Sequence, residues 1–239
     1  QEPDGCPVFD FENNQINMEN RVDFMKGSKK LMLHYDYFDN DALVFDKVHS
    51  DSVKLYSTKT GSGAEVSFGD FDFVLASLHN LKNMEDFYFI DFNNCNISEI
   101  LKLYFNELAE TATFSDFDSL AHLTYPLRYI FETTGEYPDL TPYQDVIDDI
   151  YRTLISNNKA LEINTSGLFK PIGRTLPDEF QLKRYRELGG KLITVGSDAH
   201  TSTAVGNGIE EGIRLAHKCG FKSYTIFEKR RPITIPIEF

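Results

Sequence analysis

The stretch Leu192-Ile-Thr-Val-Gly-Ser-Asp-Ala-His200 joins a β-branched apolar run to a glycine-serine step and an aspartate two residues before a histidine. Lys191 to Val195 reads as a buried strand. Gly196-Ser197 lets the backbone turn at the strand end. Asp198 and His200 then offer a carboxylate and an imidazole, donors that suit zinc, manganese or iron.

Strands and helices alternate on both sides of this stretch from about residue 70 onward. Phe71–Ser77 and Asp86–Asp91 read as short apolar strands. Apolar residues at 97, 100, 101, 104, 105 and 108 predict a helix over Ile97–Ala112, with Asn96 as its N-cap and Glu99 in the first turn. Ser119–Leu123 reads as the next strand, and Thr141-Pro142 opens a helix running to about Ser156. The strand Ala160–Asn164 follows, then a helix Pro177–Leu188 closed by Gly189-Gly190. Beyond His200, a helix Asn207–Cys219 and a strand Ser223–Phe227 lead to a proline-containing tail. Such alternation implies βαβ units and a parallel sheet, open or closed into a barrel. Residues 1–70 are rich in Asp, Asn and Phe, have poor periodicity and predict no assignable elements.

Candidate chemistry gathers at predicted strand ends. His79 ends Val74–His79, His122 ends Leu120–His122, and Asp198 with His200 ends the stretch quoted above. In parallel α/β folds the C-terminal strand ends share one rim, and that rim carries active sites. Each histidine alone reads equally well as a hydrogen-bonded, partly buried residue. Three at one topological position, one of them paired with an aspartate, point to a metal centre. Glu162 faces either the site mouth or a basic partner, and Asn164 at the same strand end is a hydrogen-bond candidate for ligand or water. Arg128 is placed to hold a phosphate, for which a guanidinium fork is well suited, or to form a surface ion pair. Arg174 and Lys170 in the loop Phe169–Thr175 are candidates of the same kind. His217, near a helix end, reads as a dipole partner.

Composition narrows the function classes. A 41% hydrophobic, 26% charged chain of 239 residues is globular, with no apolar run near membrane-span length. A net charge of −13 argues against a nucleic-acid backbone as the main partner, but not against a small phosphorylated substrate beside divalent metals. Cys6, Cys95 and Cys219 are odd in number and lack CxxC spacing. They predict neither a disulfide framework nor a cysteine-ligated zinc, and a reducing, cytoplasmic setting.

Ala76-Ser-Leu-His79, Ala121-His-Leu-Thr-Tyr125, Ala160-Leu-Glu-Ile-Asn-Thr165 and Leu188–His200 occur in the order found in the PHP (polymerase and histidinol phosphatase) family, and resemble its histidinol-phosphatase branch most. The resemblance covers residues from about 70 to 225. It implies a single domain over residues 1–239, folded as a distorted (β/α)7 barrel. It also implies two or three divalent metal ions (zinc, manganese or iron) and hydrolysis of a small phosphate monoester such as histidinol phosphate, in histidine biosynthesis. By position it makes His79, His122, Asp198 and His200 metal ligands, Asp198 and His200 also catalytic, and Arg128 a residue near the substrate phosphate.

The chain departs from the family before residue 70, where no His-x-His pair occurs. His34-Tyr-Asp36 and His49-Ser-Asp51 are the nearest strings, and Glu65 is similar to the family's metal-bridging Glu. Three readings stay open: a remodelled segment with ligands recruited from His34, Asp36, His49 or Asp51, a native N-terminus that this chain lacks, or a stretch before residue 70 that departs from the natural gene. Two alternatives accompany the phosphatase reading: a PHP-type phosphoesterase acting on nucleotides or short oligonucleotides, and a non-catalytic metal-binding barrel.

Overall fold

A computed structural model describes residues 72–238 except 83 and 85, together with the backbone of short strands before residue 70. Those early strands pair antiparallel: Val8–Asp10 with Gln15–Asn17, Lys30–Leu31 with Val48–His49, and Leu43–Val44 with Lys54–Ser57, which also pairs Glu65–Ser67. No element was assigned there from periodicity, because strands this short carry almost no repeat.

From residue 72 the chain forms a parallel sheet with helices packed against it. Its strands are β1 (Leu75–Ala76), β2 (Ser119–Leu120), β3 (Ala160–Asn164) and β4 (Ile193–Gly196), hydrogen-bonded in that spatial order. Leu120 pairs with both Ala76 and Leu161, and Leu161–Asn164 run in register with Ile193–Gly196. All five β3 residues are buried, as expected where a parallel strand is covered on both faces. Among the described residues the parallel sheet has these four strands and is not closed into a barrel.

Between the strands lie α1 (Ile97–Ala112), α2 (Pro126–Thr134), α3 (Gln144–Ser156), α4 (Glu179–Glu187) and α5 (Ile209–Lys218). Helix α1 starts as its sequence dictates, with the Asn96 side chain accepting from the Glu99 amide at 3.2 Å. Its stripe of Leu101, Tyr104, Phe105 and Leu108 is fully buried and meets Ile147, Ile150, Tyr151 and Leu154 in the same core. Gly212 lets α5 lie close against the sheet, for a Cβ there would stand 2.7 Å from Val195 Cγ1 and 2.8 Å from Thr165 Cγ2.

Several expectations are corrected. Asp86–Asp91 is no strand: Phe87–Phe89 form a 3-10 turn capped by Asp86, whose Oδ1 accepts from the Tyr88 amide at 2.7 Å. Phe71–Ser77 shortens to β1 because buried Asp118 takes the Val74 amide that would extend the ladder. Helix α3 begins at Gln144, after a 3-10 turn over Thr141–Tyr143, and α4 begins at Glu179 with Asp178 as its cap.

The proline-containing tail is also structured. Strand β5 (Ser223–Glu228) turns through Lys229 and Arg230, at φ +50° and +63°, into β6 (Arg231–Pro236). Positive φ at both turn residues suits a two-residue hairpin. The turn fastens to the N-terminal ends of the parallel strands: the Arg230 amide donates to Asp72 O, and its guanidinium pairs with Asp116 and Asp118. Lys159, just before β3, donates to the Ser115 and Phe117 carbonyls at the same edge.

Asp148 links α3 to α4. It is 4% exposed and accepts from Arg184 Nε at 3.0 Å and Gln144 Nε2 at 2.8 Å, with a second bond from Arg184 Nη2. The Arg184 hydrogen bonds hold its carboxyl below the usual carboxylate range. The stability this confers is present above that range and is lost as pH falls through the lowered value. Asp148→Asn should therefore cost about 2 kcal/mol at neutral pH in urea denaturation. The gap to wild type should close in strong acid, and a gap independent of pH would contradict the ion-pair account.

Candidate metal centre

His79, His122, Asn164, Asp198 and His200 lie where parallel pairing predicts, at or beyond the C-terminal ends of β1, β2, β3 and β4, and Arg128 reaches them from α2. His79 Nε2 and His122 Nε2 face each other at 3.0 Å. Two imidazoles on one ion at metal–nitrogen distances of about 2.0–2.1 Å would stand about 3.3 Å apart at a tetrahedral angle. The observed separation is close to that, so the pair fits two ligands of one cation. His122 is 4% exposed, and its Nδ1 is buried with no hydrogen-bond partner among the described residues. Burial, then the neighbouring His79, pulls its imidazole down to about 3 against the opposing effect of Asp198. It is thus neutral at physiological pH, the form that binds metal.

Tyr125 floors this pair. Its ring centroid lies 4.5 Å from that of His122 and 4.8 Å from that of His79, and the Arg128 guanidinium sits 5.0 Å above it. Arg128 projects from α2, is 7% exposed, and donates to the Tyr129 hydroxyl and to Ser166 Oγ at 3.1 Å. Its Nη1 is 3.6 Å from Asp198 Oδ2.

Asp198 follows β4 at φ +50°, a left-handed conformation uncommon for a non-glycine residue. The sharp step thus falls on the aspartate itself rather than on Gly196. Burial acts to raise the Asp198 carboxyl, but His122, His200, Arg128 and His79 together hold it below the usual range. His200 is exposed and turns back on the Asp198 carbonyl, with Nδ1 at 2.9 Å. A donating Nδ1 leaves the lone pair on Nε2.

Asn164 is engaged inside the protein. Its Oδ1 accepts from the Ser166 hydroxyl at 2.7 Å and amide at 3.1 Å, while Nδ2 donates to Glu162. Arg174 makes its contacts elsewhere, pairing with Asp178 and stacking over Tyr137. His34, Asp36, His49, Asp51 and Glu65 lie outside the residues whose side chains are described. Among the described residues no three His, Cys, Asp or Glu side chains are grouped to hold one metal ion. The described donors therefore form two pairs, His79 with His122 and Asp198 with His200.

Known proteins share this framework. A family profile described as the PHP domain matches residues 64–166. A Thermotoga maritima protein described as a probable histidinol-phosphatase is 33% identical over 214 residues, covering 85% of this chain and 84% of its own. The chain belongs to the PHP family. A Clostridium acetobutylicum relative, also described as a probable histidinol-phosphatase, is 28% identical over 243 residues, covering 91% of this chain and 93% of its own. A Lactococcus lactis histidinol phosphate phosphatase, solved with zinc, L-histidinol and phosphate, superposes with a TM-score of 0.54 at 25% identity. That match covers 68% of this chain and 62% of the Lactococcus chain.

Three members of the cluster were not singled out from the sequence: Tyr125, Tyr129 and Ser166. The strand-end rule that found Asn164 would have reached Ser166, two residues on. The tyrosines flank Arg128 at positions that one helical turn brings together, a signal visible only once α2 is placed. Ser166→Ala removes an acceptor from Arg128 and a donor to Asn164. It should lower kcat/KM for a phosphate monoester about tenfold with little change in melting temperature. Unchanged kinetics would detach Ser166 from the site.

Proposed function

We propose that this PHP protein is a metal-dependent phosphoesterase that hydrolyses a small phosphate monoester of the histidinol phosphate kind. The observation that carries this reading is the facing imidazole pair His79–His122 beside buried Arg128, on the strand-end rim of a chain whose relatives bear histidinol-phosphatase names. His79 and His122 would hold one divalent ion, and Asp198 and His200 would contribute to the same centre. When bound, such ions supply Lewis acidity toward the phosphate and activate water at neutral pH.

The protein's own groups do the rest. Arg128 offers a fixed cation to the phosphate oxygens, with Tyr125 and Tyr129 packed on its guanidinium so that little rearrangement is needed on binding. Asp198 tethers that cation from the opposite side, and Ser166 and Asn164 keep the tether aligned. Zinc, manganese or iron suits these donor types, and two or three ions is the number the family resemblance implies. The nearest-neighbour order of β1 to β4, with no reversal, is compatible with the winding of a barrel. We assign the distorted (β/α)7 barrel, as one domain over residues 1–239, on the family resemblance. No helix among the described residues is long and apolar enough to cross a membrane.

The deciding experiment combines elemental analysis of untreated protein with rates on histidinol phosphate, an aryl phosphate and short oligonucleotides. Bound divalent metal and a preference for histidinol phosphate are expected. Turnover that survives complete metal removal would overturn the mechanism, and faster cleavage of oligonucleotide ends would replace the substrate. Arg128→Ala should lower kcat/KM roughly 100-fold while metal content stays unchanged. An effect on metal content alone would reassign Arg128 to building the centre.

A further inference from the structure

Glu162 is a carboxylate inside the fold, 5% exposed, on the central strand β3. Its Oε2 accepts the His122 backbone amide at 2.8 Å and Asn164 Nδ2 at 3.3 Å. His122 itself has φ +21°, a backbone conformation that side-chain-bearing residues rarely adopt and that persists only where surrounding contacts impose it. A carboxylate accepting from a backbone amide is a charge-assisted bond, stronger than a neutral one. The other oxygen, Oε1, rests against Gly196 on β4, where a Cβ would stand only 2.3 Å away. Gly196 is absent from the glycines with positive φ, so its backbone does not require glycine here. The space beside Glu162 does.

We propose that Glu162 is a positioning residue for the metal centre: seated against Gly196, it holds the His122 backbone in the conformation that turns its imidazole toward His79. The proposal rests on the metal-centre reading for what that imidazole does, but the tie from Glu162 to the His122 amide stands apart from it. Three consecutive strands take part. His122 follows β2, Glu162 lies on β3 and Gly196 closes β4, so the bond also fixes how the loop after β2 leaves the sheet.

The test compares wild type with Glu162→Gln, Glu162→Ala, Gly196→Ala and the Glu162→Ala/Gly196→Ala double variant. It follows the His122 amide proton resonance, manganese affinity by calorimetry, and melting temperature. A glutamine oxygen can stand where Oε2 stands, so Glu162→Gln should keep the wild-type amide resonance and bind manganese within about threefold of wild type. Glu162→Ala and Gly196→Ala should both displace that resonance and weaken manganese binding about 10- to 100-fold. The double variant should bind manganese no more weakly than Glu162→Ala alone, because both changes break one interaction.

A Glu162→Gln variant that loses manganese as fully as Glu162→Ala, with the His122 resonance in place, would overturn the proposal and make Glu162 a ligand acting through its charge. A His122 resonance untouched by Glu162→Ala would overturn it as well. If wild type binds no manganese, the metal-centre reading fails, and the His122 resonance in the same variants still decides whether Glu162 sets that backbone.

Discussion

Parallel pairing places equivalent residues of neighbouring strands at equal height, and the arrangement of this molecule follows from that constraint. Leu120 lies beside Leu161, Glu162 beside Thr194 and Asn164 beside Gly196. Residues two apart on a strand share a face, so Glu162 and Asn164 point the same way. On that side Thr194 Oγ1, level with Glu162, meets Ser119 Oγ, level with Ala160, at 2.7 Å in the buried interior. One face of the sheet thus carries a column of paired polar groups rising to the rim. The opposite face is apolar, with Leu161 and Ile163 in the core shared with α3 and α4.

The electrostatics of the rim run against those of the whole chain. The sequence carries a formal charge of −13, yet the described site gathers the buried guanidinium of Arg128 and two facing imidazoles around the carboxyl groups of Asp198 and Glu162. It also concentrates features that weaken a fold. His122 and Asp198 both have positive φ, and among the described residues His122 Nδ1 and Arg128 Nε are buried without hydrogen-bond partners. Unpaired buried groups and unusual backbone geometry tend to gather where a protein is shaped for a ligand rather than for stability.

Much of this was legible from residue types and spacing. The 3.6-residue stripe of α1 and its Asn96 cap gave both ends of that helix, and the β-branched runs gave β3 and β4 to within two residues. Strand-end reasoning put His79, His122 and Asp198 on one rim, and the structure places them together there. It failed where a residue's role depends on tertiary contact. Gly196 reads as a turn glycine, but the turn falls on Asp198 and the glycine makes room for a carboxylate from the next strand. Glu162 reads equally as a surface ion-pair partner, since nothing local announces a bond to an amide 40 residues earlier. Arg174 carries the right chemistry, but its loop delivers it to Tyr137. The β5–β6 hairpin was hidden because two prolines in β6 lower its strand propensity, although an edge strand tolerates them.

The fastening at the opposite end of the sheet has its own consequence. Arg230 reaches from the hairpin turn to Asp72, Asp116 and Asp118, and Lys159 caps carbonyls beside them, all at the strand starts. Cohesion is thereby anchored at one pole of the sheet and chemistry at the other. Loops at the reactive pole are left free to vary in length and side chain while the clasp beneath them keeps the strands aligned. Such a division lets a lineage exchange one phosphate ester for another by rewriting the rim, with the foundation left as it was.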